Sequence, residues 1–290
     1  MSIIEKAAGR LEQNKVGISP QFDTSVVSIV EQKAKLLNEH VKRNQSRETT
    51  QQAEINLAKL HQLGMITSDH GITLAKQEFS GIKRALIQNV ISQRSLKGNH
   101  GNLIMLTSAL PGEGKTFCAI NLAMSLAFEM DHTVLLVDAD VARPSVLRTL
   151  GIESELGLID VLLDDNLDLA DVMLKTNVDS LSILPAGSSH RHATELLASL
   201  AMSKLLNDIS TRYSDRIVIF DSPPLLRTNE AHVLARQMGQ IVLVVDSENT
   251  TQQTVKNALQ QIESNSNISL IYNKAGAFLS GEKYGYGYSS

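Results

Sequence analysis

The hydrophobic pattern of the chain changes character near Asn102. Before it, apolar residues recur at helical spacing. Ile3, Ile4, Ala7 and Leu11 lie near one face of a short helix that Ser2 can cap and that runs through Gln13. A polar, charged stretch follows to about Gln52, with weak periodicity around Val26–Leu37, and reads as a linker. A second helix is predicted from Ala53 to Leu63, stopping at Gly64. A third covers Leu74–Ile91, with Leu74, Phe79, Ile82, Leu86 and Val90 at helical intervals. After Asn102, short β-rich runs take over: Leu103–Thr107, Thr133–Val137, Leu181–Leu184, Arg216–Phe220, Gln240–Val245 and Ile268–Tyr272. Helical stretches lie between most of them, at Thr116–Phe128, Thr194–Thr211, Asn229–Met238 and Thr251–Glu263. Such alternation predicts an α/β fold: a mainly parallel β-sheet flanked by helices on both faces, with ligands at the carboxyl ends of the strands.

Three segments follow from this pattern. Residues 1–70 read as a helical and flexible N-terminal extension, 71–275 as the nucleotide-binding domain, and 276–290 as a tyrosine-rich flexible tail.

Composition narrows the class. Aromatic residues make up 4% and Trp is absent, so aliphatic side chains must build the core, as in a covered parallel sheet. The net charge of −4 argues against a nucleic-acid partner bound by bulk charge. The single cysteine, Cys118, excludes an internal disulfide, fits a reducing cytosol, and reads as a small buried apolar residue. Met1–Arg10 has no apolar core of a signal peptide, and no run approaches the ~18–20 apolar residues that span a bilayer. A cytoplasmic chain is expected, with any membrane role coming through a partner or peripheral contact.

The chemistry concentrates at predicted strand ends. The run Leu103–Thr107 leads into Ala109-Leu-Pro111-Gly112-Glu113-Gly114-Lys115-Thr116, followed by a helical stretch from Phe117. This is P-loop spacing, with Ala in place of the first Gly. Glycines let successive N–H groups face phosphate oxygens, and the helix adds its positive end. Residues Pro111 to Phe117 are therefore the expected ATP cradle. Lys115 should reach the β- and γ-phosphates, and Thr116 should ligate Mg²⁺. Two further strands end in carboxylates, at Asp138-Ala-Asp140 and at Asp221-Ser-Pro-Pro224. Asp221 reads as the Walker B carboxylate, and Thr116, Asp138 and Asp221 as the Mg²⁺ side of the site. A simple ATPase needs one such carboxylate; the added pair could orient a nucleophile. A tyrosine hydroxyl (pKa ~10) is not fully deprotonated by an aspartate (~3.9), but a loose phosphoryl-transfer transition state needs only positioning and late proton acceptance. Asp138 is the first candidate for that role and Asp140 the second, with Lys115 and Asp221 completing the catalytic set.

Together these motifs resemble the bacterial tyrosine kinases of capsular and exopolysaccharide systems. The resemblance covers residues 74–290. It is carried by Ala109–Thr116, by Leu135–Arg143, by Ile217–Pro224 and by the tyrosine-rich end. Asp138-Ala-Asp-Val-Ala-Arg-Pro-Ser145, His192-Ala-Thr-Glu-Leu-Leu-Ala-Ser199 and Met1-Ser-Ile-Ile-Glu-Lys-Ala look most like the exosortase-associated autokinase branch. The resemblance implies a P-loop NTPase fold related to positioning ATPases, with ATP-dependent tyrosine autophosphorylation that controls polysaccharide synthesis or export. It also implies partners: the cytoplasmic tail of a chain-length-determinant-type membrane protein as activator, further copies of the chain in a homo-oligomer with trans-phosphorylation, and a tyrosine phosphatase. Two positions depart from the pattern. Ala142 stands where the second motif has Arg, with Arg143 next to it. Gly81 stands where the ring-forming helix has its middle Arg, between Glu78 and Arg84, with Lys83 beside it.

The tail supplies the expected substrate. Three of the five tyrosines, Tyr284, Tyr286 and Tyr288, alternate with glycine in the last seven residues and are the expected autophosphorylation sites. Phosphorylating all three would add roughly −4.5 to −6 charge, a change suited to switching assembly. Asn273, after the last predicted strand, is the expected adenine reader. Tyr213 and Tyr272 read as packed, and His190 and His192 as loop residues rather than a metal site. Two rival readings remain: a positioning-type P-loop ATPase without kinase activity, whose early P-loop Lys is absent at Leu110-Pro111, and a nucleotide-dependent adaptor of the polysaccharide machinery.

Overall fold

A computed structural model describes residues 52–68, 73–93, 100–129, 131–212, 215–265 and 267–275. The helix predicted at Ser2–Gln13, the linker up to Gln51, Tyr213, and the tail tyrosines Tyr284, Tyr286 and Tyr288 lie outside these residues.

Among the described residues, the strands are β1 (Gln52–Ala53), β2 (Leu103–Ser108), β3 (Thr133–Asp138), β4 (Leu174–Thr176), β5 (Leu181–Leu184), β6 (Arg216–Asp221), β7 (Gln240–Asp246) and β8 (Ile268–Asn273). They form one sheet in the order β1-β4-β5-β3-β6-β2-β7-β8. All neighbours are parallel except β4 and β5. The α/β expectation therefore holds, and all six strands predicted from sequence are present within a residue of their predicted ends.

The core explains the near-continuous apolar runs. In β2, Ile104 and Leu106 face one layer and Leu103 and Met105 the other, and every residue of the strand is buried. The first layer packs under Phe79, Leu86 and Val90 of the helix Leu74–Gln93 and under the helix Lys115–Ala127. The second packs under Met202, Leu206 and Ile209 of the helix Leu200–Arg212 and under the helix Asn229–Ala235. A strand covered on both faces loses its alternation and reads as a run of Val, Ile and Leu.

Sequence and structure differ where local pattern is overruled. The helix expected over Ala53–Leu63 is instead a short strand and a helix over Leu57–Gln62. Ala53 pairs with Thr176, and Asn177 brackets Ile55 by accepting from its N–H at 2.9 Å and donating to its carbonyl at 3.1 Å. Asn56 then caps the helix by accepting from Lys59 N at 2.9 Å. Ala53, Ile55, Leu60, Met65 and Ile66 join the main core, so this part of the span read as an extension packs with the sheet. The helix expected over Thr194–Thr211 is two, Ala193–Leu197 and Leu200–Arg212, because Ser199 Oγ caps the second through Met202 N. Tyr272 is not packed: β8 is the last strand of the sheet, and Tyr272 is 65% exposed on the same face as Leu270.

Gly81 sits inside the helix Leu74–Gln93, and a Cβ placed there meets nothing within 4 Å. Glycine in an exposed helix interior costs about 0.8–1 kcal/mol relative to alanine. Gly81→Ala should raise unfolding free energy by about that amount in a denaturant titration, with an unchanged m-value.

Candidate phosphate and carboxylate site

Strand pairing builds the site. β3 and β6 are in register through their last residues, so Asp138 and Asp221 stand directly opposite each other on adjacent strands. Both carboxylates are fully buried. The chain after β6 is tied beneath the P-loop, with Leu225 N donating to Ser108 O at 2.8 Å and Leu226 N to Ala109 O at 3.2 Å.

The P-loop has the backbone its sequence demands. Gly112 and Gly114 take φ of +85° and +94°, a region that disfavours any Cβ. The helix begins at Lys115, directly after Gly114. Lys115 Nζ lies 2.8 Å from Asp140 Oδ2. Burial pulls the Lys115 pKa down, but the carboxylates of Asp221, Asp140 and Asp138 outweigh it and hold the amine above its ordinary range. Thr116 Oγ1 donates to Asp221 Oδ2 at 2.7 Å and lies 2.8 Å from Ser145 Oγ. Asp138 Oδ2 accepts from the N–H groups of Ser145 and Val146, each at 2.9 Å, which ties it to the start of the helix Val146–Leu150.

The remaining oxygen of each paired carboxylate, Asp138 Oδ1 and Asp221 Oδ1, is buried with no hydrogen-bond partner. Burial pushes the Asp138 carboxyl up to about 7, helped by the charge of Asp221. Burial likewise pushes Asp221 up to about 6, against the pull of Lys115. Two orphaned carboxylate oxygens beside a threonine hydroxyl are the hard oxygen donors that suit Mg²⁺. The curled Gly112–Gly114 backbone and Lys115 suit the phosphates. The residues present therefore fit Mg-ATP.

The structure brings together Gly114, Lys115, Thr116, Asp138, Asp140 and Asp221. It gives other neighbours different work. The Glu113 side chain is 3% exposed and turns inward, accepting from Leu110 N at 2.6 Å and from the Thr250 hydroxyl. It clamps the loop to the turn after β7. Asn273 rests on the P-loop, its Nδ2 donating to Glu113 O at 2.9 Å, and a Cβ on Gly114 would come within 2.0 Å of that nitrogen. Lys274 (φ 58°) bonds Gly112 O at 2.7 Å and Asp246 Oδ2 at 2.9 Å. Sequence reading missed Ser145, Asp246 and Lys274. Ser145 follows Pro144 at the start of a short helix, a usable signal; the Lys274 contacts span the sheet and leave no local trace. Lys83 pairs with Glu129 of its own chain, and Arg143 is exposed. Among the described residues no His, Cys, Asp and Glu cluster forms a metal site of its own, His190 and His192 included.

A family model described as an AAA domain matches residues 101–272, more than half of the chain. The kinase domain of VpsO is 30% identical, with a TM-score of 0.55 over 67% of this chain and 98% of that domain. The chain belongs to the bacterial tyrosine-kinase family. The kinase domain of the Escherichia coli tyrosine kinase ETK aligns with a TM-score of 0.57 and 26% identity, over 81% of this family member and 94% of that domain. Tyrosine-protein kinase YwqD of Bacillus subtilis is 33% identical over 159 residues, covering 55% of this chain and 65% of YwqD. The chain thus spans less than two thirds of the curated relatives it matches first. Among the described residues, no helix of this kinase-family chain is long and apolar enough to cross a membrane.

The raised Asp138 pKa has a stability consequence. The folded state holds that proton more tightly than the unfolded chain, whose carboxyl titrates near 3.8. The resulting stabilisation is complete below about pH 4 and is lost as pH rises to about 7. Asp138→Asn mimics the neutral acid. Its melting temperature relative to the parent, in Mg²⁺-free buffer, should climb between pH 4 and 7 and then level; a pH-independent difference would contradict the assignment.

Proposed function

We propose that this chain is an ATP-dependent protein-tyrosine autokinase whose substrates are Tyr284, Tyr286 and Tyr288 of its own tail. The observation that carries this reading is the likeness to tyrosine-kinase domains. The register pair Asp138–Asp221 supplies the buried carboxylates such a site needs, a pair that positioning-type ATPases share. The tyrosine-rich tail and the absent early P-loop Lys favour the kinase. In this reading the P-loop N–H groups hold the phosphates, and Lys115 exchanges Asp140 for phosphate oxygens. Thr116 and Asp221, with Asp138 alongside, hold Mg²⁺, which supplies charge neutralisation at the β- and γ-phosphates. Asp138 accepts a hydrogen bond from the tyrosine hydroxyl. The tyrosine oxygen takes the γ-phosphoryl group as ADP departs, and its proton passes to Asp138. The adenine role of Asn273 requires its amide to release the Glu113 carbonyl.

The wider setting is part of the same proposal. The chain acts at the cytoplasmic face of the inner membrane in polysaccharide synthesis or export. It is activated by the tail of a chain-length-determinant-type membrane protein, phosphorylates further copies of itself, and is reset by a tyrosine phosphatase. Residues 52–275 form the kinase domain. Added tail charge then drives oligomers towards monomers.

Incubation with Mg-ATP followed by mass spectrometry should place phosphate on Tyr284, Tyr286 or Tyr288. Lys115→Met should abolish it, and Asp138→Asn should lower its rate by about 10²–10⁴-fold. ATP hydrolysis without phosphotyrosine, with and without the membrane partner's tail, would favour the positioning ATPase instead.

A further inference from the structure

Two consecutive residues at the end of β8 grip the backbone of the phosphate loop. Lys274 Nζ donates to Gly112 O at 2.7 Å, and Asn273 Nδ2 donates to Glu113 O at 2.9 Å. Lys274 is anchored in turn by Asp246 Oδ2 at 2.9 Å. Asp246 is itself fixed, because its Oδ1 accepts from the N–H groups of Glu248 and Asn249 at 3.1 and 3.2 Å. Lys274 takes φ 58°, and among the described residues it is the only non-glycine with positive φ. A side chain disfavours that region, and such a conformation persists where its contacts over-determine it. The contacts that do so here are the Gly112 carbonyl and Asp246.

Peptide planarity turns these contacts into a direction. In a trans peptide, the C=O of one residue and the N–H of the next point opposite ways. No described peptide bond is cis. With the Gly112 carbonyl drawn to Lys274, the N–H of Glu113 is turned away from β8. With the Glu113 carbonyl drawn to Asn273, the N–H of Gly114 is turned away as well. β2, which carries the loop, has β7 and β8 on one side and β6 and β3 on the other. Away from β8 is therefore towards the side of Asp138 and Asp221, which end β3 and β6. Among the described residues neither N–H has an acceptor. The glycines that flank Glu113 would let these peptides flip, and a flip would aim carbonyl oxygens where phosphate oxygens must sit.

We propose that Lys274 and Asn273 are positioning residues of the phosphate site. They hold two carbonyls back, so that the N–H groups of Glu113 and Gly114 face the phosphates before nucleotide arrives. Donors fixed in advance spare binding the cost of ordering them. The role concerns nucleotide binding, and it stands whether the phosphoryl group then passes to tyrosine or to water.

The test is calorimetric titration of the full chain with tripolyphosphate and Mg²⁺, and separately with Mg-ADP. Lys274→Met, at a side chain 44% exposed, should weaken both ligands about three- to tenfold without lowering the melting temperature. Lys274→Gly relieves the left-handed backbone, so it should melt no lower than the parent yet lose the same affinity. Asp246→Asn separates bracing from bulk charge. Removing a negative charge would by itself tighten anion binding; loss of the Lys274 anchor should weaken it. Asn273→Ala should weaken tripolyphosphate and Mg-ADP alike. Weakening of Mg-ADP alone would assign Asn273 to the base and overturn its part. Unchanged tripolyphosphate affinity in Lys274→Met, or tighter binding in Asp246→Asn, would overturn the brace.

Discussion

The register between β3 and β6 is the constraint on which the site depends. A parallel pair offset by one residue would turn one of the two carboxylates to the opposite face of the sheet. Instead Asp138 and Asp221 end their strands side by side, both buried, and each leaves one oxygen unpaired. Burying two like charges is costly, and both carboxyl groups respond by holding protons well above the ordinary carboxylate range. A fold tolerates such a pair when a ligand offsets the cost, and a cation with phosphates in a P-loop is a ligand of the right charge.

The surrounding structure fixes the two carboxylates from several directions. Thr116 reaches Asp221 from the P-loop helix, Ser145 and Val146 reach Asp138 from the start of the next helix, and Asp140 holds Lys115. The P-loop is braced on its far side by Glu113, Asn273 and Lys274. Asn273 and Lys274, at the end of β8, touch the phosphate loop, and the tail tyrosines come ten or more residues after Lys274 in the sequence. The phosphate loop and both buried carboxylates are thereby held by one sheet.

Much of this was legible before the structure. The central strands could be read because burial on both faces makes them continuous apolar runs, and the P-loop because its spacing carries its own mechanism. What stayed hidden was short or non-local. The strands Gln52–Ala53 and Leu174–Thr176 and the helix Leu169–Val172 hold too few residues for a period to emerge. Tyr272 was read as packed, but in the last strand of the sheet the face it shares with Leu270 is open to solvent. Glu113 was read with the phosphate ligands because it sits in the motif; its side chain instead turns into the protein, a choice made by Thr250, which lies far along the chain.

The central claim is that this P-loop site, with its buried carboxylate pair, transfers phosphate to tyrosine rather than to water. The most direct test is the stoichiometry of products from the intact chain in Mg-ATP, following ADP, free phosphate and phosphotyrosine together in the first turnover. The account predicts one phosphotyrosine for each ADP, with free phosphate lagging. ADP formed with an equal amount of free phosphate and no phosphotyrosine would contradict it.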